Sequence, residues 1–114
     1  MFPVHFLTGT SAPTLTGLKG GQNVDFYGVA ATNNETSTTI YLKLWWQGNT
    51  NNAPILGTTA PTLTIAIPAA GTYFVSTYPL VVAGPCYYAV TKLQADTDQT
   101  ALSTGGEAIT LFIE

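Results

Sequence analysis

The decisive stretch of this sequence is residues 38–47, TTIYLKLWWQ. In an extended chain, even-numbered residues from Ile40 to Trp46 point to one side and odd-numbered residues from Tyr41 to Trp45 point to the other. β-Branched and aromatic residues of this kind are typical of strands. We therefore expect a strand with one side against the core and a large aromatic residue on its other side.

The same period of two recurs outward from this stretch and is interrupted by clusters of Gly, Pro, Asn and Thr. The recurrences lie at 24–31, 62–67, 72–77, 86–92 and 107–113. Short strands joined by turns predict an all-β protein, a single antiparallel β-sandwich or jelly-roll-like domain of about eight short strands. We expect an extended N-terminal arm over residues 1–20 and the β-sandwich over residues 21–114. The predicted core consists of Ile40, Leu42, Leu44, Leu63, Ile65, Ile67, Val90, Ile109 and Leu111.

The low charge of the chain limits the partners that it can bind. The 114 residues are 46% hydrophobic and 8% charged, with a net charge of −3, three lysines and no arginine. Binding to nucleic acid is not expected, because phosphate contacts need clustered Lys and Arg. No basic amphipathic segment suggests a membrane surface, and the first residues do not resemble a signal peptide. A weakly charged surface instead favours packing against other protein.

Few residues offer chemistry. His5 and Cys86 are the single histidine and the single cysteine of the sequence, too few for a zinc site or a disulfide within the chain. We expect Cys86 to be a small buried residue. The segment Asp96-Thr97-Asp98 lacks the glycine and the glutamate of a calcium loop, so it is interpreted as an acidic turn. We therefore expect no catalytic residues, no metal, no cofactor and no enzymatic activity.

The adjacent residues Trp45 and Trp46 must face opposite ways in a strand. One fits a core directly, whereas the other needs a further explanation. An exposed tryptophan beside Tyr41 suits a sugar-stacking platform or the anchor of a protein interface. Burial beneath a loop or the N-terminal arm is the third possibility, and the sequence leaves all three open.

Several pieces of the sequence, taken in order, resemble the small β-sandwich virion proteins of tailed bacteriophages, of the capsid decoration, cement or minor capsid type. The matching pieces cover roughly residues 24–113 and are YLKL at 41–44, APILGT at 53–58, TIAIPA at 64–69, YAVT at 88–91 and ADTDQTA at 95–101. The doubled tryptophan and the lone Cys86 depart from the expected pattern.

The resemblance implies a structural protein of the capsid surface, made in the host cytoplasm, that bridges subunits of the major capsid protein and stabilises the shell. It also implies a homo-oligomer, with a trimer favoured. The alternative is a carbohydrate- or receptor-binding module of a phage fibre. We place the partner interface on the aromatic side of the decisive strand and on the apolar arm, at Phe2, Val4, Phe6, Leu7, Tyr41, Lys43 and Trp45.

Overall fold

The computed structural model describes residues 2–19, 22–35, 37–46 and 53–114, with the backbone alone for residues 2 and 75–84. Within these ranges the chain forms seven β-strands and no α-helix, so the all-β prediction is confirmed. The strands are β1 (Phe2–Leu7), β2 (Thr16–Gly17), β3 (Asn23–Asn33), β4 (Ile40–Trp46), β5 (Leu63–Ile67), β6 (Gly71–Thr91) and β7 (Ala108–Ile113). None of the described segments is a helix with the length and apolarity needed to cross a bilayer.

The strands pair antiparallel along the path β1-β7-β3-β6-β4-β5, and β2 also pairs with β6. The long strand β6 belongs to two halves of this path: residues 71–85 pair with β3, and residues 86–91 pair with β4. We call β1, β7, β3 and the first part of β6 sheet A, and β2, the last part of β6, β4 and β5 sheet B. The two sheets face each other, as in a β-sandwich, and Phe26 of sheet A contacts the ring of Trp46 in sheet B.

A β-bulge in β3 keeps its apolar residues directed inward. The pairing of β3 with both neighbours shifts register between Phe26 and Gly28, and Gly28 has a φ of 155°, which residues with a side chain rarely adopt. Relative to β7, Tyr27 is an extra residue of β3 and changes the alternation by one position, whereas relative to β6 the extra residues are 77–79 of β6. As a result Val24 and Phe26 before the bulge and Val29 after it are all buried.

The core lies between the two sheets and matches most of the predicted set. Seven of the nine predicted residues are buried, and Leu63 and Val90 are half-buried against them. Further buried residues of the core that the prediction did not include are Leu18, Val24, Phe26, Val29, Ala31, Trp46, Cys86, Leu102 and Ile113. The burial of Cys86 agrees with its interpretation as a small core residue.

Truncating a core side chain should lower the free energy of unfolding much more than truncating a surface side chain. Leu42→Ala removes a fully buried side chain and is expected to lower the free energy of unfolding by about 2–5 kcal/mol. Ile55→Ala changes an exposed residue and should cost less than about 0.5 kcal/mol. Urea unfolding of both variants measures the difference, and equal losses would contradict the assigned faces of β4.

Candidate functional site

The predicted N-terminal arm is part of the fold from its first described residue. β1 pairs with β7, with Val4 opposite Leu111 and Phe6 opposite Ile109. Because these pairs share the inner face of sheet A, Val4 and Phe6 pack against the core. The ring of Phe6 stacks on Tyr88, with 4.5 Å between the centroids. Val4 and Phe6 are therefore partly buried within the chain, and their contact with another subunit stays a prediction.

The side chains of Lys43 and Trp45 are both 0% exposed, so the folded chain does not present them to a partner as the sequence predicted. The indole Nε1 of Trp45 donates a hydrogen bond to the carbonyl oxygen of Thr59 at 2.9 Å. The Lys43 Nζ donates to the carbonyl oxygen of Ala95 at 2.6 Å. Two loops thus cover the outer side of β4, so burial by a loop is the correct one of the three alternatives for the doubled tryptophan. Trp46 is buried as well, in the core.

The loop over Lys43 is held by the predicted acidic turn. Burial lowers the pKa of Lys43, while the charges of Asp98 and Asp96 act in the opposite direction. Burial alone would raise the pKa of Asp98, but hydrogen bonds from Thr100 and from the Leu93 amide, with the nearby Lys43 charge, lower it overall. The Leu93 amide lies 3.0 Å from Asp98 Oδ2. This geometry confirms that the segment is a turn stabilised by bonds from its own backbone.

The remaining predicted interface residues do not form one surface. Leu7 on β1 is 66% exposed, Tyr41 on β4 is half-buried, and the side chain of Phe2 lies outside the described part of the chain. β1 belongs to sheet A and β4 to sheet B, and each carries these side chains on or near the outside of its own sheet. The arm and the decisive strand are therefore on different sides of the sandwich.

The structure offers another candidate surface, the outer side of sheet A, which we call the A-face. In one row across four strands, His5 is opposite Thr110, Thr110 opposite Ala30 and Ala30 opposite Phe74. The neighbouring rows carry the other outward residues. The A-face comprises Pro3, His5, Leu7, Ala30, Thr32, Thr72, Phe74, Ala108, Thr110 and Phe112.

The ten residues of the A-face include no lysine and no carboxylate, and two of them are phenylalanines. Phe74 is 62% exposed and meets Phe112 edge to face, with 6.2 Å between the ring centroids. Asp25 and Glu114 follow buried residues in their strands, so they stand on the same outer side at one end of sheet A. Their backbones pair there, and Glu114 accepts a hydrogen bond from Tyr27. This bond raises the pKa of the Tyr27 hydroxyl.

Sequence reasoning did not select the A-face, although a signal for it was present. Phe112 alternates out of phase with Ile109, Leu111 and Ile113, so it stands on the side of its strand that faces away from the core. A large aromatic residue at such a position indicates either a covering loop or a contact surface. No described loop covers Phe74, which is 62% exposed, so of these two alternatives the contact surface fits this pair of rings.

A pocket of about 240 Å³ opens between the segment that joins β1 to β2 and the last part of β6. Its walls include the rings of Phe6 and Tyr88, the apolar side chains of Val90 and Leu102, and residues 11–14. None of the lining residues is charged. The pocket thus offers apolar contact and a few hydroxyl groups.

The structure does not bring His5 and Cys86 together. His5 is on the A-face, where Nδ1 lies 2.9 Å from Thr110 Oγ1, whereas Cys86 is buried between the sheets. Burial raises the pKa of the Cys86 thiol to about 12, so this thiol is not an activated nucleophile at neutral pH. Among the described residues, no three His, Cys, Asp or Glu side chains are grouped so as to hold a metal ion.

One buried carboxylate is tied to the end of β1. Glu107 is fully buried at the inner side of sheet A, and its Oε2 accepts a hydrogen bond from the Thr8 hydroxyl. The Glu107 amide in turn donates to Thr8 Oγ1 at 3.1 Å. Its second oxygen has no hydrogen-bond partner within the described ranges. This reciprocal pair fixes the point where β1 leaves the sheet.

The chain was compared with protein-family models, with curated proteins and with solved structures, and none of the three comparisons gave a match.

The Cys86 thiol should make stability depend on alkaline pH. In the unfolded chain a thiol ionises near its ordinary pKa of about 8.5, whereas the folded protein keeps the proton up to about 12. Ionisation then favours the unfolded state, so the free energy of unfolding should fall as pH rises. Relative to Cys86→Ala, wild type should lose about 1.4 kcal/mol per pH unit above about pH 9. Urea unfolding under reducing conditions between pH 7 and about 10 measures this slope, and parallel curves would contradict the assignment.

Proposed function

We propose that this chain is a virion structural protein, a capsid decoration or cement protein that attaches to the major capsid protein through the A-face. The observation that carries the proposal is the exposed A-face, whose ten residues are uncharged and which presents Phe74 on its outermost strand, β6. The sequence resemblance to phage virion proteins supplies the class of partner and the location on the capsid surface. Synthesis in the host cytoplasm follows from the same resemblance.

The chemistry of the A-face favours contact with protein. Ala30, Ala108 and the threonines form a surface of small side chains, and few ions need to lose their hydration when a partner covers it. Phe74 and Phe112 add large contact area with few rotatable bonds, which is a property of residues at the energetic centre of interfaces. Leu7 extends this apolar surface to the edge at β1.

The size of the A-face favours binding in many copies. Four strands about 4.8 Å apart and six residues long, at about 3.4 Å per residue, cover about 400 Å². A standard protein interface uses about 800 Å² from each partner. One A-face alone therefore supports weak binding, and attachment to a repeating shell strengthens such binding through many simultaneous contacts. This requirement fits a decoration protein better than a soluble one-to-one binder.

The fibre module remains the second candidate because the aromatic pair of the A-face has threonine hydroxyls beside it. Phe74 and Phe112 could stack on a sugar ring while Thr72 or Thr110 donates hydrogen bonds. The tryptophan platform that first suggested this function is buried, however, since Trp45 lies under a loop. A glycan-binding assay of the isolated protein therefore distinguishes the two candidates.

The first test is a count of copies in the particle. Quantitative mass spectrometry of purified virions should find this chain in a fixed ratio to the major capsid protein, with many copies per particle. A few copies per particle, released together with fibre proteins, would favour the fibre module. Absence from the virion would contradict both candidates.

The second test changes the A-face itself. Phe74→Asp places a charge on the exposed aromatic residue of the proposed contact and should weaken binding to particles that lack the protein by at least tenfold, because the carboxylate must be desolvated. Leu93→Asp is the matched control, since Leu93 is 52% exposed and lies in the loop after β6, away from the A-face. Co-sedimentation with particles measures both variants. Equal binding of the two would contradict an A-face contact.

A further inference from the structure

β1 is an edge strand with a regular pattern of outward backbone groups. The Thr8 amide donates to the Glu107 carbonyl, which shows that even-numbered residues of β1 exchange hydrogen bonds with β7. The amides and carbonyls of His5 and Leu7, and the carbonyl of Pro3, therefore point away from the sheet. In the described part of the chain, β7 is the one strand that pairs with β1.

The other strand edges are less suited to pairing. β5 bonds to β4 through residues 63, 65 and 67, which leaves outward groups at Thr64 and Ala66, between Pro61 and Pro68. In sheet A, β6 contains Pro79, which has no amide hydrogen, within the irregular stretch where its pairing with β3 shifts register. Proline, lysine and β-bulges usually protect an edge strand from pairing with another chain. β1 has a proline only near its beginning, and it has no lysine and no bulge.

We infer that two copies of this chain pair antiparallel through the free edges of β1, about a two-fold axis. The partner that best complements this edge is the same edge of a second copy. In an antiparallel pair the residues that have an outward amide, His5 and Leu7, lie opposite each other, and Pro3, which has none, lies outside that pair. When His5 is opposite Leu7 of the second copy, both residues exchange two hydrogen bonds each with their partners. Both outward amides of β1, those of His5 and Leu7, are used.

The side chains agree with this register. The segment Phe2–Leu7 contains no lysine, arginine or carboxylate, so two copies bring no like charges together. The exposed Leu7 side chain lies beside His5 of the second copy on the outer side, and the two Phe6 residues flank the axis on the inner side. The two A-faces become one continuous surface on eight strands, about twice the area of one.

The pairing is self-complementary, so it closes as a dimer. The trimer expected from the resemblance would need a head-to-tail contact elsewhere on the surface. The inference does not depend on the proposed function, because it concerns the isolated chain. A short strand pair buries less than the roughly 1,000 Å² of a stable interface, so we expect association in solution at roughly 10 µM to 1 mM.

A matched pair of variants tests the role of the backbone. Leu7→Pro removes an outward amide hydrogen and spares the bonds between β1 and β7, whereas Leu7→Thr removes the exposed side chain and keeps that amide. Sedimentation velocity over the stated concentrations should show dimers for wild type and Leu7→Thr, with association of Leu7→Pro weakened at least tenfold. Circular dichroism checks that each variant is folded. Undiminished dimers of folded Leu7→Pro, or monomeric wild type at the highest concentration, would overturn the inference.

A cross-linking experiment tests the register in the otherwise unaltered protein. Residues opposite each other in a hydrogen-bonded pair have Cα atoms about 5.5 Å apart, within disulfide range, whereas diagonal neighbours are about 7–8 Å apart. Mild oxidation of an equimolar mixture of His5→Cys and Leu7→Cys should give a mixed disulfide dimer, and neither variant alone should match that yield. Wild type, with its buried Cys86, is the blank. Equal yields from the mixture and from each single variant would contradict the register.

Discussion

The two sheets depend on one continuous strand, β6, whose backbone is hydrogen-bonded to β3 over its first part and to β4 over its last part. A strand shared in this way fixes the position of sheet B relative to sheet A, so inward residues of both sheets fill the same core. Phe26 and Trp46 meet across it, and the Trp46 indole donates to the Val24 carbonyl at 3.0 Å. The core and both outer faces follow from that connection.

The few charged and strongly polar groups of the chain serve mainly to hold its loops in place. Lys43 bonds the loop over sheet B, Asp98 stabilises that loop from within, and Glu35 accepts from the Thr104 amide at 2.8 Å. Buried groups of this kind need partners because desolvation is costly. The ten residues of the A-face are neutral, so a partner contacts apolar side chains and hydroxyl groups there and not ions.

The A-face and the free edge of β1 are open to partners in different directions. The A-face lies on the outside of the sheet and presents side chains such as Phe74, whereas the free edge of β1 presents backbone amides and carbonyls in the plane of the sheet. A partner on the face and a second copy at the edge therefore do not compete for the same atoms. Pairing at the edge would enlarge the face, which compensates for the small area of a single copy.

The sequence by itself determined the class of fold and most of the core, because the period of two at Ile40–Trp46 and at Ile109–Ile113 reports directly which residues share a side of a strand. The same reasoning identified the turn at Asp98, whose residue types satisfy their own backbone. Alternation states that a side chain faces away from the core, but it does not state what lies over it. Trp45 and Lys43 were assigned to the surface for this reason, and long-range contacts with Thr59 and Ala95 bury them. Only the tertiary structure decided which outer side stays uncovered, since loop positions and the pairing of β1 with β7 depend on residues far apart in the chain.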